Sequence, residues 1–465
     1  AGVCMLNQTT AIPVADWRTR FSGEVIGPDN PEYDAARAVF YHHIDRRPAA
    51  VIRAANADDV VSAVALARET GLELAIRGGG HSVAGHSASE GGLVLDLSAM
   101  KGLEIDVAGR TAWAGAGVTA GEYIATAGQH GLATGFGDTG EVGIGGLTLG
   151  GGMGFLSRKY GLTIDDLLAV EIVTADGRTL HVDAESHPDL FWALRGGGGN
   201  FGVVTRFQYR LRPVDTVLGG MIILPATAQT IAGLVAAADA APDELSTIAN
   251  VMVAPPMPFL PVEVHGQLII MVTLVWAGDP AEGEHVIAPI RALAPPLADI
   301  VRPMAYGDIY QFSEGDAPPL QEMVYSSFRD SLDVAAAEQL LAHLRASSAV
   351  MSIIQLRVLG GAVARVPVEA TAYAHRQRRI MVAIVALYPD AAGAPRHAAW
   401  LAEFAAAMRQ GEPGVYVNFL GEGEEARLGE AYPAATRRRL AAVKARYDPH
   451  NLFRHNHNVP PDALT

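Results

Sequence analysis

Arg77-Gly78-Gly79-Gly80-His81-Ser82 sets three glycines and a histidine in one short run. Consecutive glycines at the end of a strand leave several backbone N–H groups free to point one way, which makes a nest for phosphate oxygens. A second glycine-dense stretch, Val142-Gly143-Ile144-Gly145-Gly146 followed by Gly150-Gly151-Gly152-Met153-Gly154, lets backbone lie flat against a large planar group. Two such segments suit a dinucleotide better than a mononucleotide. A single Gly-rich run is as often a turn as a ligand site, and several within one domain shift the balance towards a ligand. A lone histidine is most often a hydrogen-bonded structural residue, but His81 directly follows the nest, so its imidazole stands beside whatever the nest binds. His86, five residues on, is its local rival.

A competing motif is Gly115-Ala116-Gly117-Val118-Thr119-Ala120, which fits the relaxed dinucleotide fingerprint between a strand and a helix, with Asp138 as an acidic residue downstream. It keeps an NAD(P)-dependent dehydrogenase open as an alternative. His42-His43 and His455/His457 have neither i, i+4 spacing nor a cysteine set nearby, so no metal is assigned.

The elements that must hold these residues follow from periodicity and turn chemistry. A strand at 50–53, a helix at 58–71 and a strand at 72–76 form a strand-helix-strand unit that runs into the nest. Strands at 93–97 and 111–115, a helix at 121–131, a hairpin through Ala175-Asp176-Gly177-Arg178, and an alternating strand at 201–211 complete a mixed, glycine-dense first part. After Pro213 the glycine runs vanish, and Pro255-Pro256-Met257-Pro258 and Pro295-Pro296 punctuate strands such as 268–275 and Ala-rich helices such as 335–346. Strands at 351–359 and 380–388 are expected to pair antiparallel. The tail from Tyr447 is short and polar, cannot fold alone and must dock. The expected division is 1–215, 216–415 and 416–465.

The chain has 465 residues, 50 of them glycine, with a formal charge of -15 and one cysteine, Cys4. Length allows two or three domains. The negative charge and the lack of any basic block beyond Arg437-Arg438-Arg439, a solvated helix face, exclude nucleic acid as a partner. No apolar run reaches the roughly 18–20 residues of a membrane span, and no secretory leader is seen, so the expected location is cytoplasmic. One cysteine excludes an intrachain disulfide; Asn7-Gln8-Thr9 matches a glycosylation sequon short enough to arise by chance.

Three separated segments carry a family resemblance. They are Arg77-Gly-Gly-Gly-His81-Ser-Val-Ala-Gly-His86-Ser, the block Thr139-Gly-Glu-Val142 through Gly154, and the tail Tyr447-Asp-Pro-His-Asn451 through Arg454-His-Asn456-His-Asn-Val-Pro-Pro461. Gly198-Gly-Asn200-Phe-Gly-Val-Val204-Thr and Tyr416-Val-Asn418-Phe419 add to it. On these the chain resembles the berberine bridge enzyme-like FAD-linked oxidases of the vanillyl-alcohol oxidase and p-cresol methylhydroxylase superfamily. The resemblance implies an α+β, two-domain fold: an FAD-binding domain, a substrate domain of antiparallel sheet flanked by helices, and a tail returning to the FAD domain.

It also implies FAD bonded through its 8α-methyl carbon to His81. The expected cofactor contacts are Arg77, Gly78, Gly79, Gly80, Ser82, His86, Thr139, Val142, Gly143, Gly145, Gly146, Gly152, Gly154, Asn200, Val204 and Asn456. Thr139 stands where many members carry a second attaching cysteine, so a single linkage is expected. Val142 stands where the family gates oxygen, and valine there goes with oxidases that release hydrogen peroxide.

On the substrate side Phe419 replaces the base tyrosine of several relatives. Gln355 and Arg357 share one face of the 351–359 strand, the face the resemblance aims at the flavin. A buried Arg357 must pair internally or meet an anionic or carbonyl-bearing substrate, and internal pairing is favoured. Val382 and Ile384 are expected beside Gln355 and Arg357 on the paired strand. Tyr416 and Asn418 orient substrate or pack across the domain interface. The activity implied is hydride transfer from a small alcohol, amine or polyketide-like substrate, with O2 as acceptor; a flavin-binding protein without turnover is the non-enzymatic alternative.

Overall fold

The computed structural model describes residues 14–461; Cys4 and the Asn7 sequon lie outside that span. The strand-helix-strand unit is Ala50–Arg53, Ala57–Thr70 and Leu74–Arg77. Its helix starts where the Asn56 side chain accepts from the Asp59 amide and stops at Gly71, whose φ of 68° a side chain would strain. Val60, Ala63, Val64 and Ala67 make its buried stripe. The Leu93–Asp96 strand lies between Ala50–Arg53 and Leu74–Arg77, parallel to both, and Glu24–Ile26 closes the sheet antiparallel to Ala50–Arg53. The chain leaves the end of a buried parallel strand directly into Gly78.

A second sheet of five strands runs in the order Leu103–Asp106, Thr111–Gly115, Val203–Arg210, Leu167–Val173 and Thr179–Asp183. Its last two strands form the hairpin read from Asp176-Gly177, with Gly177 at φ 84°. Thr111–Gly115 has antiparallel neighbours on both sides, so no parallel crossover follows it. A Cβ on Gly115 would lie 2.3 Å from the Met100 carbonyl oxygen, and one on Gly117 2.1 Å from that of Leu97. These glycines serve chain packing, and the dinucleotide fingerprint at 115–120 is corrected accordingly.

The third sheet has eight antiparallel strands between Thr216 and Tyr388. Helices Ala228–Ala240, Pro280–Arg291, Val334–Ala346 and Ala394–Met408 cover one face, and their apolar stripes meet Ile354, Leu356, Val382 and Ile384. The opposite face meets the N-terminal part of the chain: Met381 and Ala383 share a cluster with Met153, Leu162 and Ile164, which Tyr373 and Tyr416 complete. Met351–Val358 and Ile380–Tyr388 pair as expected, with Gln355 opposite Ala383 and Arg357 opposite Met381. That register corrects one expectation. Val382 opposes Leu356 and Ile384 opposes Ile354, so both lie in the helix-side core, because neighbours along a strand point to opposite faces.

The Ala434–Tyr447 helix leads into the tail. Lys444 is fully buried and its Nζ donates to the carbonyls of Asn200 and Phe453 at 2.8 and 2.7 Å while pairing with Asp448 at 2.8 Å. Asp448 in turn accepts from the Leu452 and Phe453 amides. Asn200 holds the tail from the other side, donating to the His457 carbonyl and accepting from the Val459 amide. Among the described residues no helix is long and apolar enough to cross a membrane. Replacing Lys444 by Met leaves Asp448 buried without its counter-charge, and is expected to cost about 3–5 kcal/mol, read as a lowered urea midpoint with an unchanged slope.

Candidate functional site

Arg77, at the end of its strand, is spent on the fold. Its Nη2 donates to Asp96 at 2.9 Å and to the Ala36 carbonyl at 2.6 Å. Burial works against the Asp96 charge, but the Arg77 guanidinium overcomes it and holds that carboxyl below its usual range. The side chain braces the strand end from which the nest runs. Beyond it, Gly79 and Gly143 meet backbone to backbone: a Cβ on Gly79 would lie 2.4 Å from the Gly143 nitrogen, and one on Gly143 2.5 Å from the Gly79 nitrogen. Only glycine fits at either place, and the contact joins the two glycine segments of the sequence.

His81 stands at this junction, half-buried and stacked on Phe40 with centroids 4.2 Å apart and planes at 21°. Phe40 is held there by its amide, which donates to the Gly80 carbonyl at 3.1 Å. Burial lowers the His81 pKa, so the imidazole is neutral at physiological pH and keeps a nucleophilic lone pair. His86 points elsewhere. Its ring lies edge-on to His457 and His455, at 4.6 and 5.5 Å, and burial followed by the neighbouring histidines pushes its pKa down to about 2. The Ser82 hydroxyl accepts from the His86 amide and shapes that turn. Among the described residues no group of three or more His, Cys, Asp or Glu is arranged to hold a metal ion.

Thr139 and Val142 are half-buried, with the Val142 carbonyl accepting from the Ala120 amide. Gly143 precedes the Ile144–Gly150 helix; Gly146 opens on free space and Gly145 faces Phe207. Gly152 and Gly154 do a different job. Their Cβ positions are filled by Thr163 Oγ1 at 2.1 Å and the Phe136 carbonyl oxygen at 2.2 Å, so these two glycines allow close packing inside the chain. The Tyr416 hydroxyl accepts from the Gly152 amide and from Asn418 Nδ2, both at 2.8 Å, and Asn418 Nδ2 also donates to the Leu147 carbonyl. The pair clamps the central loop, and burial lifts the Tyr416 pKa to about 12, which removes it as a base. Val204 is buried opposite Ile172. Asn456 donates to the carbonyls of Gly199 and Phe453, and its buried Oδ1 has no partner among the described residues.

Over this floor lies the free face of the eight-stranded sheet. Arg357 Nη2 reaches Asp138 at 3.1 Å, Nη1 donates to the Met153 carbonyl, and Nε donates to Gln355 Oε1 at 2.8 Å, with the Phe419 ring beneath at 5.2 Å. Gln355 Nε2 donates to Asn250. Arg357 is therefore paired internally, and Asp138, the acid that the dinucleotide fingerprint needed, is its partner. Two residues were absent from the sequence reading. Glu322 shares the Gln355 face, and Tyr41 stands edge-on to Phe40, with centroids 5.1 Å apart. The alternation of the Gln321–Arg329 strand and the neighbourhood of Phe40 were the available signals.

A flat backbone floor, a neutral imidazole with no hydrogen-bond partner among the described residues and an orphan amide oxygen fit a flavin dinucleotide. Comparison with known proteins agrees. A family model described as FAD binding domain matches residues 48–183, and one described as berberine and berberine like matches residues 415–460. The chain is similar to (R)-6-hydroxynicotine oxidase of Paenarthrobacter nicotinovorans, 31% identical over 95% of this chain and 97% of that one. It is also similar to an uncharacterized FAD-linked oxidoreductase, YgaK, of Bacillus subtilis, 28% identical over 96% and 98%. The solved structure of 6-hydroxy-D-nicotine oxidase from Arthrobacter nicotinovorans superposes with a TM-score of 0.85 at 29% identity, covering 95% of this chain and 98% of that one. A berberine bridge enzyme-like protein of Physcomitrella patens shares the fold, with a TM-score of 0.84 at 22% identity over 95% and 97%.

Adding a methyl group at the Gly79–Gly143 contact forces the two backbones apart, at an overpacking cost of about 1–3 kcal/mol. Gly79→Ala and Gly143→Ala are each expected to lower FAD bound per chain by about tenfold while far-ultraviolet circular dichroism stays unchanged. Full flavin content in both variants would show that the contact does not shape the FAD site.

Proposed function

Because the chain belongs to the berberine bridge enzyme-like FAD-linked oxidoreductases of the p-cresol methylhydroxylase superfamily, we propose that it is an oxidase: its FAD, held by one bond to His81, takes hydride at N5 from a small alcohol, amine or polyketide-like substrate and passes the electrons to O2, giving H2O2. The observation that carries this reading is the neutral, partnerless His81 imidazole beside the Gly79–Gly143 contact.

In this reading residues 1–215 and the tail from 416 hold FAD, and 216–415 cover it. Gly78 to Gly80, Ser82, Thr139, Val142, Gly143, Gly145, Gly146 and the Asn456 Oδ1 line the cofactor. Arg77, Asn200, Val204, Gly152 and Gly154 position that lining, and His86 shapes its edge through Ser82. Thr139 offers no thiol, and Cys4 is the only cysteine in the sequence, which supports one linkage. Val142 leaves more room beside Gly143 than a longer side chain would, which supports access by O2.

On the facing sheet the Arg357 charge is already balanced by Asp138, so its remaining N–H donors are available to a substrate oxygen or a developing negative charge without demanding a carboxylate. Gln355 fixes Arg357, and Tyr416 and Asn418 keep the central loop closed beneath it. Phe419 excludes water.

Acid denaturation is expected to leave the yellow colour on the chain, and peptide mass spectrometry to find FAD on the His81 peptide alone. Stopped-flow mixing of reduced enzyme with air-saturated buffer is expected to release one H2O2 per FAD. Flavin freed by acid, attachment elsewhere, or re-oxidation only by an artificial acceptor contradicts the proposal. Replacing Arg357 by Met, which strands the Asp138 charge, is expected to lower kcat/KM by about 10²–10³ with FAD attachment unchanged; unaltered turnover removes Arg357 from the site.

A further inference from the structure

The face that carries Gln355 and Arg357 also carries a carboxyl that the reading above does not use. Glu322 opposes Leu387, which opposes Met351. Gln355 is level with Ala383 and Ser326, four residues further along the same strands. At about 3.3 Å per residue and about 4.8 Å per strand, the two polar positions are offset by roughly 13 Å along the strands and about 10 Å across them, or roughly 16 Å in all on one face. The Gln321–Arg329 strand is the last of the sheet, so Glu322 lies at the rim of the cleft. It is half-buried, and no described residue forms an ion pair or hydrogen bond with it.

Tyr41 approaches from the other side of the cleft. Its ring packs edge-on against Phe40, which stacks on His81, so Tyr41 belongs to the wall next to the candidate flavin attachment. Burial first, then the charges of Glu322 and Asp138, raise its phenol above the usual range. Between the two polar ends the sheet is apolar: Ile353, Val385 and Val324 stand level with one another, and Ile353 continues into a methionine-rich cluster of Met221, Met252 and Met271.

A carboxylate drawn out of water without a partner is costly, and the cost is recovered when a cation meets it. We propose that Glu322 is a specificity-determining residue that binds a protonated amine of the substrate, with an apolar spacer running over Ile353 and Val385 towards Gln355 and Arg357. The inference rests on the reading of this cleft as the substrate site of a flavin oxidase, and narrows the substrate to an ammonium compound with an extended apolar body. A neutral sugar gives Glu322 no counter-charge. A carboxylate at that end is repelled.

The pH dependence follows from the same geometry. Burial lifts the Glu322 carboxyl to about 7. An ammonium group needs it ionised, so affinity for the amine is present above that value and is lost as pH falls through it. The titratable group whose phenol feels the Glu322 charge is Tyr41; Asp138 and Arg357 further along are locked to each other, and the neighbouring strands present Leu387, Met351 and Val324.

The holoenzyme is titrated with 4-phenylbutylamine and with 4-phenylbutanol, its neutral counterpart, and binding is read from the perturbed visible flavin spectrum. At about pH 8 the amine is expected to bind at least about tenfold tighter than the alcohol. That preference disappears at about pH 5.5 and in Glu322→Gln, while Glu322→Asp keeps part of it. Equal binding of the two probes, a preference retained by Glu322→Gln, or no perturbation by either probe overturns the inference. Acid-stable flavin and re-oxidation by air, measured on the same preparations, test the oxidase reading separately: where both hold and the amine preference is absent, this inference alone fails.

Discussion

The contact between Gly79 and Gly143 is the constraint on which the rest of the molecule turns. Two backbone segments more than sixty residues apart approach until neither tolerates a Cβ atom. One is the outlet of a buried parallel strand, and the other is the start of a short helix. Bringing them together makes a floor of peptide groups where side chains would otherwise stand, and it sets His81 beside that floor with its ring flattened on Phe40. Arg77 and Asp96 hold the strand end rigid enough for the approach to be specific.

Two further linkages make the floor into a cleft. The tail is tied down by the buried Lys444 and by Asn200, so the stretch up to Val459 returns to the part of the chain that carries Asn200. Tyr416 and Asn418 pin the central loop, and the Arg357–Asp138 pair crosses from the eight-stranded sheet to the N-terminal part. Each is a polar group whose partners lie far away in sequence, so the cleft assembles only when all parts are folded. Its floor is built for a cofactor that every family member shares. Its roof is apolar between Arg357 and Glu322.

Local chemistry made much of this legible. The Gly71 and Gly177 turns, the strand-helix-strand unit and the pairing of Met351–Val358 with Ile380–Tyr388 could be read because turn residues and hydrophobic period specify them locally. Faces were harder. A one-residue offset sends a side chain to the other side of a sheet, and Val382 and Ile384 went to the helix-covered core for that reason. The dinucleotide fingerprint at Gly115 failed because its glycines accommodate chain packing, a demand that spacing does not distinguish from ligand approach. Arg77, Asn200 and Tyr416 are near the chemistry in sequence, yet their polar groups are consumed by partners that only the fold supplies. Glu322 carries no motif, and its place on the Gln355 face is a product of topology.

The central claim is that one cofactor lies between the Gly79–Gly143 floor and the Gln355–Arg357 face, attached at His81. A crystal structure of the yellow holoenzyme tests it most directly. The account predicts continuous density from the His81 ring to the 8α carbon of an isoalloxazine that rests beside Gly143 and beneath Arg357, with Asn456 Oδ1 bonded to the cofactor. Density for the flavin outside this cleft, or an isoalloxazine separate from His81, would contradict it.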